Sequence, residues 1–280
     1  MYAFAPSQLD DLLACLDEHG FAVLRGLWDE PALDAMEAAC EVIQQRLLDG
    51  GLDERYGTTI LVDDEDGARS AEFANYVTYA TELSPELQAA ALEPVIQDVV
   101  RRWLGEEAWL QEHTRFGIVY QDARPGRESS YTRIGWHSDW QSGPNLDIWP
   151  SLAFTIHIDE TSPANGFLRV VPGSHKWRTP APYRNVNGAV VPEGSREAEG
   201  WTDQAPPYEM PLGFDKVRDE IALYCERGDV IFHDAYLWHS AARATDDDTK
   251  RRHVRGGWYS GVPLDPANEW TEDFVKNAAR

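Results

Sequence analysis

Leu152-Ala153-Phe154-Thr155-Ile156-His157-Ile158-Asp159 alternates large apolar side chains with small or polar ones. Successive side chains of a strand point to opposite faces, so the run predicts a strand with one greasy face and one mostly polar face. Asn165-Gly166 follows as a tight-turn signal leading into Phe167 to Val171. From residue 108 to 262, aromatic and β-branched runs recur between Gly, Pro and Asn, the pattern of many short strands in a barrel or sandwich. The stretch before it reads as mainly helical. Leu9, Leu12, Leu13 and Leu16 fall at helical spacing after Ser7 and stop at Gly20, and Phe21 to Leu24 reads as a strand. A second helix is expected from Asp29, with Pro31 in its first turn, to Gly50, and a third from Pro85 to Trp103. The expected organisation is one domain over 1–280: a mainly helical part at 1–107, a barrel at 108–262 and a tail at 263–280. Seven of the 17 prolines fall between Pro172 and Pro211, so an irregular, lid-like excursion is expected at 172–220.

Composition narrows the function. Lys plus Arg number 25 against 48 Asp plus Glu, a formal net charge of −23 that repels nucleic acid and anionic membrane surfaces. Neither a signal segment nor a membrane-spanning apolar run is visible, so a cytoplasmic protein is expected. Cys15, Cys40 and Cys225 are far apart and odd in number, which predicts reduced, buried thiols. The acidic runs Asp63-Asp64-Glu65-Asp66 and Asp246-Asp247-Asp248 lack the ligand spacing of a calcium loop and read as solvated turns.

The chemistry centres on Trp136-His137-Ser138-Asp139-Trp140, where an imidazole and a carboxylate two residues apart share one side of an extended chain. Two His and one carboxylate on one face of an octahedral ion leave positions open, which suits non-heme Fe(II) chemistry with oxygen. The third ligand is His233 or His239. They lie six residues apart and would share a face of one continuous strand, so parity does not choose between them.

Four segments in order resemble the phytanoyl-CoA dioxygenase family of Fe(II)/2-oxoglutarate oxygenases: Asp17-Glu18-His19-Gly20-Phe21-Ala22-Val23-Leu24-Arg25-Gly26, the run at 136–139, Asn165-Gly166 through Pro172-Gly173-Ser174-His175-Lys176, and Gly228-Asp229-Val230-Ile231-Phe232-His233. The second and third are similar to the ectoine hydroxylase branch. The resemblance implies a double-stranded β-helix, a jelly-roll barrel with flanking helices. It also implies Fe(II) held by His137, Asp139 and His239, with 2-oxoglutarate and O2 as co-substrates and His233 and His175 in supporting roles. The activity implied is hydroxylation of a small-molecule C–H bond with release of succinate and CO2. The family's arginine for the far carboxylate of 2-oxoglutarate falls eleven residues after the distal His, where this chain has Lys250 followed by Arg251 and Arg252. Strand parity puts Arg252 with Val254, Gly256 and Trp258, and that face is expected to line the barrel, with Arg252 as anchor and Gly256 leaving room for a ligand. Matching outward from Asn165-Gly166 makes Thr155 a second contact. Arg115 is a further candidate for a substrate carboxylate, and Trp136, Trp140 and Trp238 either wall the pocket or belong to the core. Trp140 to Asn145 replace the residues that follow the same motif in ectoine hydroxylases, and only four Lys are present, so the resemblance does not carry ectoine or a CoA thioester over as the substrate. The rival readings are a jelly-roll binding protein without turnover and a metal-dependent lyase or epimerase on the same barrel. The sequence leaves oligomeric state undetermined.

Overall fold

The computed structural model describes residues 2–53, 55–60, 73–110, 118–123, 136–139, 151–177, 183–186, 189–192, 216–242, 244–246 and 249–260. Arg115, Trp140 to Asn145, Asp63 to Asp66 and the 263–280 tail lie outside these residues. Its helices are α1 (Leu9–His19), α2 (Glu30–Leu48), α3 (Ala80–Leu83), α4 (Pro85–Ala91) and α5 (Pro94–Leu104). Helix α1 stops because Gly20 takes a left-handed conformation, φ 81°, and donates its N–H to Leu16 O. Helix α2 starts where the Asp29 carboxylate accepts from Ala32 N, with Pro31 in the first turn. The single helix expected over 85–103 is instead two, α4 and α5. Pro94 supplies no N–H and pushes Glu93 out of the helical region, to φ −54° and ψ 129°.

Fourteen strands are described: β1 (Ala3–Phe4), β2 (Phe21–Leu24), β3 (Gly57–Ile60), β4 (Phe73–Val77), β5 (Trp109–Leu110), β6 (Val119–Ala123), β7 (Ser151–His157), β8 (Leu168–Val170), β9 (Tyr183–Val186), β10 (Ala189–Pro192), β11 (Ile221–Leu223), β12 (Val230–Asp234), β13 (His239–Ala241) and β14 (Arg251–Tyr259). The larger sheet runs β1-β2-β12-β7-β14-β6-β4-β3, with β5 also on β14, and the smaller runs β11-β8-β13. All pairs are antiparallel except β1 with β2. Strands β9 and β10 form a separate hairpin inside the stretch expected to be irregular. Among the described residues no helix is long and apolar enough to cross a membrane.

The larger sheet has two unlike faces. Leu152, Phe154, Ile156, Phe232, Val254 and Trp258 pack with Leu12, Leu16, Leu33, Met36 and Val99 of the helices in the main core. The other face, with Phe21, Val23 and Ile231, meets Val170 and Leu223 of the smaller sheet in a second apolar cluster, so it is the barrel interior. Gly256 belongs to the helix-side face, and its space is filled by protein rather than by a ligand. A Cβ there would lie 2.1 Å from Ile118 Cδ1 and 3.2 Å from Phe154 Cε1. Gly256→Ala is therefore expected to lose about 1–3 kcal/mol of stability by overpacking, read as a lower urea midpoint. An unchanged midpoint would show that Ile118 yields without strain.

The segments that carry the resemblance close this architecture. Arg25 makes a two-pronged pair with Asp229, Nε to Oδ1 at 2.9 Å and Nη2 to Oδ2 at 2.7 Å, which locks the β2 end to the turn that opens β12. Asn165 Nδ2 donates to Glu160 O and Lys250 O, while its Oδ1 accepts from Ser162 N, clamping the turn before β8 to the start of β14. Ser174 Oγ accepts from Trp238 N, and His175 Nε2 lies 3.1 Å from Asp17 O, so the Pro172 to Lys176 turn is tied both to the chain entering β13 and to the end of α1. Cys15, Cys40 and Cys225 are free and buried, and burial raises the Cys15 thiol to about 11.

Candidate metal centre

Strand β12 is buried along its whole length and ends at Asp234. The chain then turns, with Leu237 N donating to Asp234 O, and re-enters as β13 in the smaller sheet. His233 and His239 therefore sit on different sheets, which removes the parity ambiguity. His239 pairs with Val170 of β8 on one side. On the other it forms an antiparallel bridge with His137, each residue donating its N–H to the carbonyl of the other at 2.9 and 3.0 Å.

His137, Asp139 and His239 converge, with one ligand atom from each lying within 4.8 Å of the others. Asp139 Oδ1 is 3.9 Å from His137 Nε2 and 3.6 Å from His239 Nε2, whereas Oδ2 lies 2.9 Å from His233 Nε2. The two carboxylate oxygens thus have separate duties: Oδ1 faces the other two donors, and Oδ2 accepts from His233. His239 Nδ1 lies 2.9 Å from Leu237 O. A proton on Nδ1 donated to that carbonyl leaves the Nε2 lone pair aimed at the centre, the arrangement found behind metal-bound histidines. Burial, reinforced by the neighbouring His137, holds the His239 imidazole well below its ordinary pKa and hence neutral. Burial opposes ionisation of Asp139, yet the hydrogen bond from His233 and the three imidazoles outweigh it and hold the carboxyl well below the usual range. Two neutral nitrogens and one anionic oxygen form the donor set of a divalent transition metal with open coordination positions. Side-chain exposure rises from 8% at His239 through 18% at His137 to 38% at Asp139, so the cluster opens on the Asp139 side. Trp136 and Trp238 are fully buried, and the Arg169 guanidinium lies 4.8 Å over the Trp136 ring.

The structure separates the candidates for anchoring the co-substrate. Parity along β14 is as expected, but the faces are exchanged. Arg252 lies with Val254 and Trp258 on the helix side, 3% exposed, where it pairs with Asp159 at 2.6 Å, Glu37 at 2.8 Å and Glu41. It borders an outer recess lined also by Asn165, Arg227 and Lys250, so it does not reach the barrel interior. Arg251, His253 and Arg255 occupy the interior face, with Arg255 opposite Thr155 and His253 opposite His157. The Tyr259 hydroxyl, on that face too, is raised by burial and by the Asp139 charge. Thr155 stands between Ile231 and Arg255 on the interior face.

The phytanoyl-CoA dioxygenase (PhyH) family model matches residues 16–253. The chain belongs to the phytanoyl-CoA dioxygenase family. Within curated relatives it is 31% identical over 96 residues to an ectoine dioxygenase of Sphingopyxis alaskensis, covering 33% of this chain and 29% of that protein. It is 28% identical over 135 residues to a probable alpha-ketoglutarate-dependent hypophosphite dioxygenase of Stutzerimonas stutzeri, covering 46% and 43%. The matches therefore span less than half of either relative. Solved structures share the fold at low identity. EctD from S. alaskensis with bound Fe superposes with a TM-score of 0.64 at 19% identity, over 99% of this chain and 86% of that one. The alpha-ketoglutarate-dependent carbocyclase SnoK from nogalamycin biosynthesis gives 0.63 at 18%, over 96% and 97%. The epimerase SnoN in complex with Fe3+, alpha ketoglutarate and nogalamycin RO gives 0.61 at 18%, over 91% and 84%. The fold is thus the jelly-roll barrel that the sequence resemblance implied.

Proposed function

We propose that this family member is an Fe(II)- and 2-oxoglutarate-dependent oxygenase that hydroxylates a C–H bond of a small molecule, with His137, Asp139 and His239 as iron ligands. The observation that carries the reading is the convergence of these three side chains, with the Nε2 of His239 freed for ligation by its Leu237 hydrogen bond. Fe(II) with 2-oxoglutarate and O2 supplies the oxidising power, at the expense of decarboxylating the keto acid to succinate. The protein's part is binding, orientation and exclusion of water. His233 holds Asp139 so that a single oxygen points inward, and the buried indoles of Trp136 and Trp238 keep the flank of the site dry. Of the arginines, Arg251 is the reading favoured for the far carboxylate of 2-oxoglutarate. It lies on the interior face, 5% exposed, and it stands one residue beyond the family's spacing, a shift that one inserted residue in the turn before β14 explains. A planar guanidinium suits a carboxylate because it offers two parallel charge-assisted hydrogen bonds.

Neighbours on the same barrel include an epimerase and a carbocyclase that are themselves alpha-ketoglutarate dependent. Use of the keto acid therefore does not distinguish hydroxylation from these outcomes; product mass does. Anaerobic addition of Fe(II) and 2-oxoglutarate is expected to give a weak visible charge-transfer band, since the keto acid binds through two atoms to a metal with open positions. A screen of small metabolites for substrate-stimulated succinate formation should then yield a product heavier by one oxygen. A product of unchanged mass, or one lighter by two hydrogens, would replace hydroxylation with epimerisation or ring closure. A protein that shows no band and no oxygen uptake would be a binding protein.

A further inference from the structure

The interior face of β7 and β14 carries a second group of polar side chains. His157 of β7 pairs across the sheet with His253 of β14, their rings 6.0 Å apart and inclined by 36°. The residues are 5% and 7% exposed. Among the described residues, neither nitrogen of His157 nor Nδ1 of His253 has a hydrogen-bond partner. Buried polar nitrogens without partners are unfavourable, and three of them together on one face of a sheet are groups that a bound molecule would satisfy. The charges around them say what kind of molecule. Burial and then Arg251 push the His157 imidazole down to about 3. Burial, Arg251, His157 and Arg255 act the same way on His253. Both imidazoles are therefore neutral at ordinary pH, each with one N–H donor. A site flanked by two guanidinium groups disfavours a metal cation and favours an anion with several acceptor atoms.

Resting on the functional reading above, we propose that His157 and His253 each donate a hydrogen bond to the far carboxylate of 2-oxoglutarate, so that this imidazole pair, with Arg251, selects keto acids that carry a second acid group. The position fits. Ala153 and Gly257 lie level with His233, which holds Asp139, and His253 is four residues along β14 from Gly257, about 13 Å of strand. Side chains reaching in from both ends and an extended five-carbon diacid fill that span.

The test is an anaerobic titration of the Fe(II)-loaded protein with 2-oxoglutarate and, separately, with 2-oxopentanoate, which keeps the keto acid and lacks the second carboxylate. Binding is followed by the charge-transfer band and by calorimetry, with a thermal melt of each variant. His157→Phe and His253→Phe are each expected to weaken 2-oxoglutarate about tenfold or more and to leave 2-oxopentanoate within about twofold. His253→Asn, which keeps an N–H donor, should recover part of the loss. Unchanged 2-oxoglutarate affinity, or equal weakening of both keto acids, would overturn the proposal, the latter showing a merely structural role. Should the Phe variants fail to fold, full 2-oxopentanoate binding with weakened 2-oxoglutarate in His157→Leu and His253→Leu, which carry no donor, decides in its favour, and parallel behaviour decides against it. Absence of a band in the wild type with either acid would instead defeat the functional reading beneath it.

Discussion

Alanine at His137, Asp139 or His239 is expected to lower Fe(II) affinity by more than about 100-fold, beyond the 10–100-fold range associated with losing a group that supports a metal ligand. His233→Ala is expected to fall inside that range, near tenfold, because it removes the donor that holds Asp139 Oδ2 and leaves all three converging atoms in place. Iron retained after desalting, together with competition against a chelator of known affinity, measures the difference. The contrast is sharp because His233 and His239 are near neighbours, with ring centroids 4.7 Å apart. Loss of iron in the His233 variant and its retention in the His239 variant would reverse the ligand assignment.

The second large effect separates two adjacent arginines. Arg252→Met leaves Asp159 with neither of its two charge-assisted contacts, from Nε at 2.8 Å and Nη2 at 2.6 Å, and leaves Glu37 with Arg227 and Glu41 with Lys250 as cationic partners. Breaking such a pair around a buried guanidinium costs about 3–5 kcal/mol, at the lower end here because Glu37 and Glu41 are 34% and 45% exposed. Arg251→Met removes a charged partner inside the barrel and should weaken 2-oxoglutarate by about 30-fold or more. Urea unfolding and a 2-oxoglutarate titration of both variants should therefore rank them in opposite orders. A larger loss of co-substrate affinity in the Arg252 variant would show that its ion pairs with α2 open when the keto acid binds.

Much of the site was legible before any coordinates. The caps at Gly20 and Asp29 gave correct helix ends because their signals are local, and the alternation at Leu152 to His157 matched β7 because one face is buried against helices. The third ligand was out of reach of parity because the chain changes sheets between Asp234 and His239, a tertiary event that spacing does not record. The β14 error has a more instructive cause. Parity alone assigns the apolar face of β14 to the barrel interior, yet in this sheet the greasiest surface belongs against the helices, and the other face carries Thr155, His157, His253 and Arg255. The same inversion hid His157 and His253, whose signal was present as two histidines on the polar faces of two strands. The break before α5 was marked by Pro94 and could have been read.

The reciprocal N–H to carbonyl contacts between His137 and His239 also bear on how the centre exchanges its ion. Two of the three donors are stitched together through the main chain, so their spacing is set by sheet formation and not by whatever occupies the centre. Ordering entropy that a floppy site would lose on loading has already been spent during folding. Such a rigid cradle discriminates little among ions of similar radius, and Mn(II), Co(II) or Ni(II) should enter in iron's place without rearranging the barrel, each ion displaced by the next in the order of intrinsic affinity. Identity of the bound ion then becomes a matter of what the surroundings supply, and an air-exposed preparation would be silent for want of iron rather than for want of a fold.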